Sequence, residues 1–228
     1  MYQLYIANKN YSSWSLRPWL LAKELGIAFE EVLVPFAGAD NPDRFGRFAP
    51  NGKVPCLVDG DLTVWDSLAI IEYLAEGHPG VWPADAKARA FARSACAEMH
   101  SGFGALRTLC TMNCGIRVAL KERTAALAAD LARIQAIWQQ GLDSFGGPFL
   151  AGAAFSALDA FFAPVVFRFQ SYGIALAPAL AQYQARMLAL PAMVDWYQAA
   201  LAEPWRDEAH EQEVRDAGTV LEDRRQSR

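Results

Sequence analysis

The stretch APNGKVPCLVDGDLTVWDSLAIIEYL, residues 49–74, passes from a polar loop through a Val-Pro step into two apolar runs and then an amphipathic segment. Its middle reads as two short strands joined at Asp59-Gly60, a dipeptide suited to the positive φ angles of a tight antiparallel hairpin. Asp66 is a good N-cap for the helix that follows, which places Ile70, Ile71 and Leu74 on one face and ends at Gly77. Upstream, YQLYI (2–6) reads as a strand, and SLRPWLLAKELG (15–26) gathers Leu16, Trp19 and Leu20 on one side at helical spacing. FEEVLVPF (29–36) supplies a further strand. Strands joined through a helix in one sheet run parallel. Residues 1–79 therefore read as β-α-β, a loop, then β-β-α.

Gly and Pro concentrate in GHPGVWPADAKA (77–88), and residues 80–86 read as a linker. Beyond it the composition changes. Segments 87–110, 123–142, 156–173 and 177–202 are rich in alanine and leucine, with apolar residues at three- and four-residue steps. No strand is evident there, so residues 87–228 are expected to form an all-α domain. The polar end, RDEAHEQEVRDAGTVLEDRRQSR (206–228), adds little core and is expected to be a frayed helix or mobile tail. Within AAFSALDAFFAP (153–164), Ser156 and Asp159 have capping-box spacing, with Asp in the usual Glu position.

The chain has 228 residues, 53% of them hydrophobic, with 21 basic against 25 acidic side chains and a formal net charge of −4. Such a chain folds compactly, and its mixed charge offers no basic patch for nucleic acid or an anionic membrane. The start MYQLYIANKN lacks both the basic region and the apolar core of a signal peptide, so a cytoplasmic protein is expected. Cys56, Cys96, Cys110 and Cys114 are too sparse for a disulfide framework, and His78, His100 and His210 stand at no zinc spacing from the Cys110/Cys114 pair. No metal is expected.

Three stretches, SSWSLR (12–17), the 49–74 segment and FSALDAFFAP (155–164), resemble the glutathione transferase superfamily along nearly the whole chain. The resemblance implies a thioredoxin-like N-terminal domain (1–79), an all-helical C-terminal domain supplying an electrophile pocket, and glutathione as co-substrate. It implies that Pro55 follows a cis bond, so that the Val54 backbone pairs with the cysteinyl unit of glutathione as an added strand would. Asp66 and Ser67, at a helix N-terminus, would read the ammonium and carboxylate of the γ-glutamyl end. Lys53 would approach the glycyl carboxylate, with Arg44 and Arg47 as weaker candidates. A homodimer is expected on the same ground.

An ordinary thiol, with a pKa of ~8.5, is only a few per cent ionised at neutral pH. Lowering that pKa by about two units requires roughly 2.7 kcal/mol of preferential stabilisation of the thiolate. A hydroxyl donor and the N-terminal dipole of a helix can share that amount. SSWSLR resembles the zeta-class pattern of two serines, a cysteine, another serine and an arginine, in which the first serine activates the thiol. That match makes Ser12 the catalytic candidate, Ser13 a supporting hydroxyl and Arg17 an electrostatic or structural helper, with an N-cap as the plain alternative for Ser12 and Tyr11 as its rival. Trp14 replaces the zeta-class cysteine, which weakens the case for cis-trans isomerisation of maleyl compounds. Where redox relatives of the fold carry Cys-x-x-Cys, Ser12 and Ser15 hold the corresponding positions. Met99, Phe103, Arg107, Leu109, Met112 and Ile116 are candidates to line the electrophile pocket, or simply core. The expected activity is glutathione transfer to an electrophilic small molecule. The alternatives are a glutathione-dependent isomerase of the maleylacetoacetate type and a non-enzymatic partner-binding protein on the same fold.

Overall fold

A computed structural model describes residues 1–226. The chain opens with strand β1 (Tyr2–Ile6), helix α1 (Ser13–Glu24) and strand β2 (Phe29–Leu33), followed by the short helix α2 (Asn41–Phe45). The hairpin β3 (Cys56–Asp59) and β4 (Leu62–Trp65) leads into α3 (Ser67–Gly77). These strands form one sheet in the order β2-β1-β3-β4: β1 and β2 are parallel, and the other two pairings are antiparallel. Leu4 and Ile6 of β1 point into the core beneath α1, as the period of two requires. The hairpin turn differs by one residue from the expected place. Asp59 pairs with Leu62, so the turn residues are Gly60 and Asp61, and Gly60 alone takes the positive φ, +60°. The Asp59 carboxylate instead accepts the Tyr73 hydroxyl at 2.8 Å, which holds this residue in the ladder.

The remainder comprises α4 (Ala86–Ser101), α5 (Gly104–Leu109), α6 (Ala125–Phe145), α7 (Ala157–Ser171), α8 (Pro178–Leu188), α9 (Pro191–Ala202) and α10 (Glu208–Ala217). Every residue of α7 from Ala157 to Phe169 is buried, which explains its run of apolar side chains on all faces. This central helix packs against both α4 and α1, joining the two halves of the molecule. Its start is the Ser156/Asp159 capping box.

Among the described residues the second half is not purely helical. Strand β5 (Ile116–Leu120) pairs antiparallel with strand β6 (Gly218–Asp223), with a register shift at Arg117/Val118. The polar end is therefore α10 and a paired strand, not a loose tail. The reason lies in the backbone: pairing satisfies the main-chain groups of a strand whose residues beyond Gly218 stay exposed. Ile116 and Val118 supply the apolar face that roots the ribbon. Gly115 permits it, since a Cβ there would lie 2.3 Å from Cγ of Arg225.

Candidate active site

The loop between β1 and α1 is fastened before it reaches the serines. Buried Glu203, just after α9, accepts the Lys9 and Asn10 amides at 2.6 and 3.3 Å. The Lys9 carbonyl accepts the Trp196 indole N–H at 2.9 Å, and the Asn10 carbonyl accepts the Cys114 amide at 3.2 Å. Side chains made far along the chain thus fix the backbone just ahead of Ser12. Burial pushes the Glu203 carboxyl above its ordinary range, while the amides it accepts pull it back.

Ser12 occupies the N-cap of α1, yet its hydroxyl caps nothing. It donates to Ser15 Oγ at 2.7 Å, and Ser15 Oγ also accepts the Ala7 amide at 3.3 Å. Ser12 and Ser13 are 4% and 6% exposed, and both line a cavity of about 480 Å³ between the sheet domain and the helices. Lys53 and Val54 line the same cavity. A second cavity of about 200 Å³ is bordered by Lys53 and Val54 again, with Trp14, Asn51, Pro55, Asp66 and Ser67. The two share Trp14, Lys53 and Val54 as a common wall. Ser12, Ser13, Lys53, Val54, Pro55, Asp66 and Ser67 therefore each border one or both of two adjoining cavities, whereas Arg44 and Arg47 border neither.

The smaller cavity has the features of a site for an extended zwitterion. The Val54–Pro55 bond is cis, and the Val54 main chain has no intrachain partner among the described residues. Asp66, at φ +74°, caps α3 by accepting the Leu68 amide at 2.8 Å, and its other oxygen stands 3.3 Å from His100 Nε2. Burial first, and then the charges of Arg17 and Arg107, hold the His100 pKa below its ordinary value, against the pull of Asp66. Ser67, 1% exposed, has a buried hydroxyl with no partner among the described residues. An orphan hydroxyl at a helix N-terminus is a vacant position for an anion's hydrogen bond.

Tyr11 is differently engaged. Its ring lines the larger cavity, stacked on His210 with centroids 4.9 Å apart, but its hydroxyl donates to Glu211 at 2.7 Å and accepts from Arg225 at 3.2 Å. Burial and the Glu211 carboxylate push its pKa well up. A phenol already committed to a carboxylate is poorly placed to donate to sulfur.

The wall facing the serines is cationic. Arg107 and Arg168 line the larger cavity, and each spends its recorded hydrogen bonds on main-chain carbonyls: Arg107 on Met99 and Gly102, Arg168 on Arg107 and Cys110. No carboxylate pairs with either among the described residues. Burial, and then the charge of Arg107, lower Arg168 to about 10. Arg17 is fully buried, with all three guanidinium nitrogens unpartnered among the described residues, held over the rings of Trp14 and Phe161 at 4.2 and 4.6 Å. Arg107 also lies over the Trp14 ring, at 4.6 Å. Trp14 thus fills the position expected of a cysteine and carries two guanidiniums.

Of the pocket candidates read from the sequence, Arg107 and Met112 line the cavity, whereas Met99, Phe103, Leu109 and Ile116 pack in or against the core. Arg168, His210 and Glu213 were not legible. They come from α7 and α10, and no local spacing marks which turn of those helices meets the cleft.

A four-stranded mixed sheet with a cis-proline before β3, joined to a helical body across a cleft, defines a thioredoxin-like domain with a helical partner. The family model described as "Glutathione S-transferase, N-terminal domain" matches residues 11–76. A zeta-class glutathione S-transferase of Euphorbia esula is 29% identical over 159 residues, covering 68% of this chain and 71% of that protein. A dichloromethane dehalogenase of Methylophilus leisingeri is 46% identical over 55 residues, which is 23% of this chain and only 21% of its own length. Among solved structures, a maleylacetoacetate isomerase from Methylobacterium extorquens AM1, with malonate and glutathione bound, is 27% identical with a TM-score of 0.66, covering 89% of this chain and 98% of that one. Residues 11–76 thus match a glutathione S-transferase N-terminal domain, and most of the chain is similar in sequence and fold to glutathione transferases.

Proposed function

We propose that this protein is a glutathione transferase that binds glutathione in residues 1–79 and presents its thiolate to an electrophile held against residues 87–228. The observation that carries this reading is the Ser12 hydroxyl at the start of α1, which caps nothing, in a cavity adjoining the one that holds the Val54 main chain and the Ser67 hydroxyl, both without partners among the described residues. Val54 would pair with the cysteinyl unit, and Asp66 and Ser67 would take the γ-glutamyl end. Lys53 would take the glycyl carboxylate, with Ser13 and Pro55 shaping the wall. Ser12 would donate to the sulfur, aided by the α1 dipole. The setting we infer is cytoplasmic detoxification by a homodimer, and the chemistry requires no metal.

Titration of glutathione into wild type and Ser12→Ala, followed by thiolate absorbance in the ultraviolet, tests this. Wild type should form mostly thiolate at pH 7, and Ser12→Ala should bind glutathione but leave it mainly as thiol. Equal thiolate in both would remove Ser12 from the role, and binding by neither would refute the transferase reading.

Arg107 and Arg168, which pair with no carboxylate among the described residues, favour an electrophile bearing one, which also keeps the maleyl-type isomerisation as a second reading. A chloronitrobenzoate should be turned over in preference to its thiol reactivity relative to neutral chlorodinitrobenzene. Arg107→Ala should lower kcat/KM for the benzoate by roughly tenfold or more and barely alter that for the neutral compound. Equal losses on both substrates would refute the carboxylate assignment. Turnover of a maleyl compound without net loss of glutathione would establish isomerisation.

A further inference from the structure

The serine that touches Ser12 has no role so far. Ser15 is 0% exposed in the first turn of α1, and its oxygen accepts two donors, the Ala7 amide at 3.3 Å and the Ser12 hydroxyl at 2.7 Å. A serine hydroxyl offers one proton and two lone pairs, so both acceptor positions of Ser15 are filled, while its own proton has no acceptor among the described residues. Ser12 is in the complementary state, with its single proton given to Ser15.

A thiolate beside Ser12 changes the arrangement. If Ser12 turns its proton to the sulfur, its bond to Ser15 survives only if Ser15 becomes the donor. We propose that Ser15 is the positioning residue of the thiolate site: its hydroxyl reverses the Ser12–Ser15 hydrogen bond and holds Ser12 as a donor to sulfur. This rests on the reading of Ser12 given above.

The reversal needs both hydroxyls to rotate while the two oxygens stay within hydrogen-bond reach. It completes a chain from the Ala7 N–H through Ser15 and Ser12 to the sulfur, in which each bond polarises the next. Ala7 directly follows β1, so the end of the strand anchors the chain. Water is a poor substitute, since Ser12 is 4% exposed and Ser15 is fully enclosed. Neither serine loses its proton; the proton of the thiol passes to solvent. A purely structural Ser15, tying the first turn of α1 to Ala7, would affect stability and leave the thiol alone.

The test is the pH titration of thiolate absorbance for glutathione bound to wild type, Ser15→Ala, Ser15→Thr, Ser12→Ala and the Ser12→Ala/Ser15→Ala double variant. Ser15→Ala should raise the pKa of the bound thiol enough to leave roughly three- to tenfold less thiolate below it. Ser15→Thr, which keeps the hydroxyl, should restore the wild-type pKa. In the Ser12→Ala background, loss of the Ser15 hydroxyl should produce no further shift. A wild-type pKa in Ser15→Ala, or an equal shift with and without Ser12, overturns the proposal while leaving Ser12 in place. A Ser12→Ala variant with the wild-type pKa removes the Ser12 reading, and the role of Ser15 falls with it.

Discussion

Tyr11 and Ser12 are neighbours in sequence and both carry a hydroxyl, but only one is free of a charged partner. Tyr11 donates to Glu211, which is itself bound by both terminal nitrogens of Arg225 at 2.5 and 2.9 Å. Tyr11→Phe should therefore cost about 1 kcal/mol of stability, the net worth of one hydrogen bond, and leave the pKa of bound glutathione unchanged. Denaturant unfolding and the thiolate titration check the two halves of this expectation, and a raised thiol pKa would return Tyr11 to candidacy. Sequence alone placed the two residues side by side as rivals, because the partners that separate them, Glu211 and Arg225, lie some two hundred positions away. The role of Trp14 was equally hidden: the substitution was visible, but not the arginines that lie over its ring.

The elements of the first half were legible wherever one local rule decided them. Alternation marked β1, and the acidic cap before an apolar helical face marked α3. The hairpin turn moved by one residue because Tyr73, fourteen positions on, binds the Asp59 carboxylate. Strands β5 and β6 escaped notice because each is short, and their partnership spans about a hundred residues, so nothing local announces it. The start of α7 shows the opposite case. Asp159 lies in a motif readable at three-residue spacing, and it accepts the Ser156 amide at 3.0 Å and the Ser156 hydroxyl at 3.3 Å. It also accepts the Leu150 amide at 3.1 Å and the Tyr183 hydroxyl at 3.2 Å, which no motif foretells. Asp159→Ala would strand these donors in the core and should lower stability by roughly 3 kcal/mol or more, read as a lower denaturant midpoint. A loss below about 1 kcal/mol would mean that the cap is dispensable.

At the scale of the whole molecule, the cleft depends on contacts that cross the entire chain. Arg225 and Glu211 tie the β5–β6 ribbon to Tyr11, and Glu203 holds the loop ahead of Ser12. Burial alone would raise the Glu211 pKa, but hydrogen bonds from Arg225 and Tyr11 outweigh it and hold the group below its ordinary 4.5. A carboxylate depressed in this way contributes stability that is full above the unfolded value and lost as pH falls through the folded one. Acidification to below that folded value should accordingly release the ribbon, seen as faster proteolytic cleavage within residues 218–226. Glu211→Gln should make that cleavage rapid already at neutral pH; equal protection of the variant would refute the role assigned to the ion pair. The same connectivity orders events during synthesis. Ser12 leaves the ribosome some two hundred residues ahead of Glu203, Glu211 and Arg225, the groups that fasten its loop. A nascent or truncated chain lacking them can carry every residue of the proposed glutathione side and still hold the serine loop loosely, so the proposed thiolate site is not assembled until those distant residues have followed.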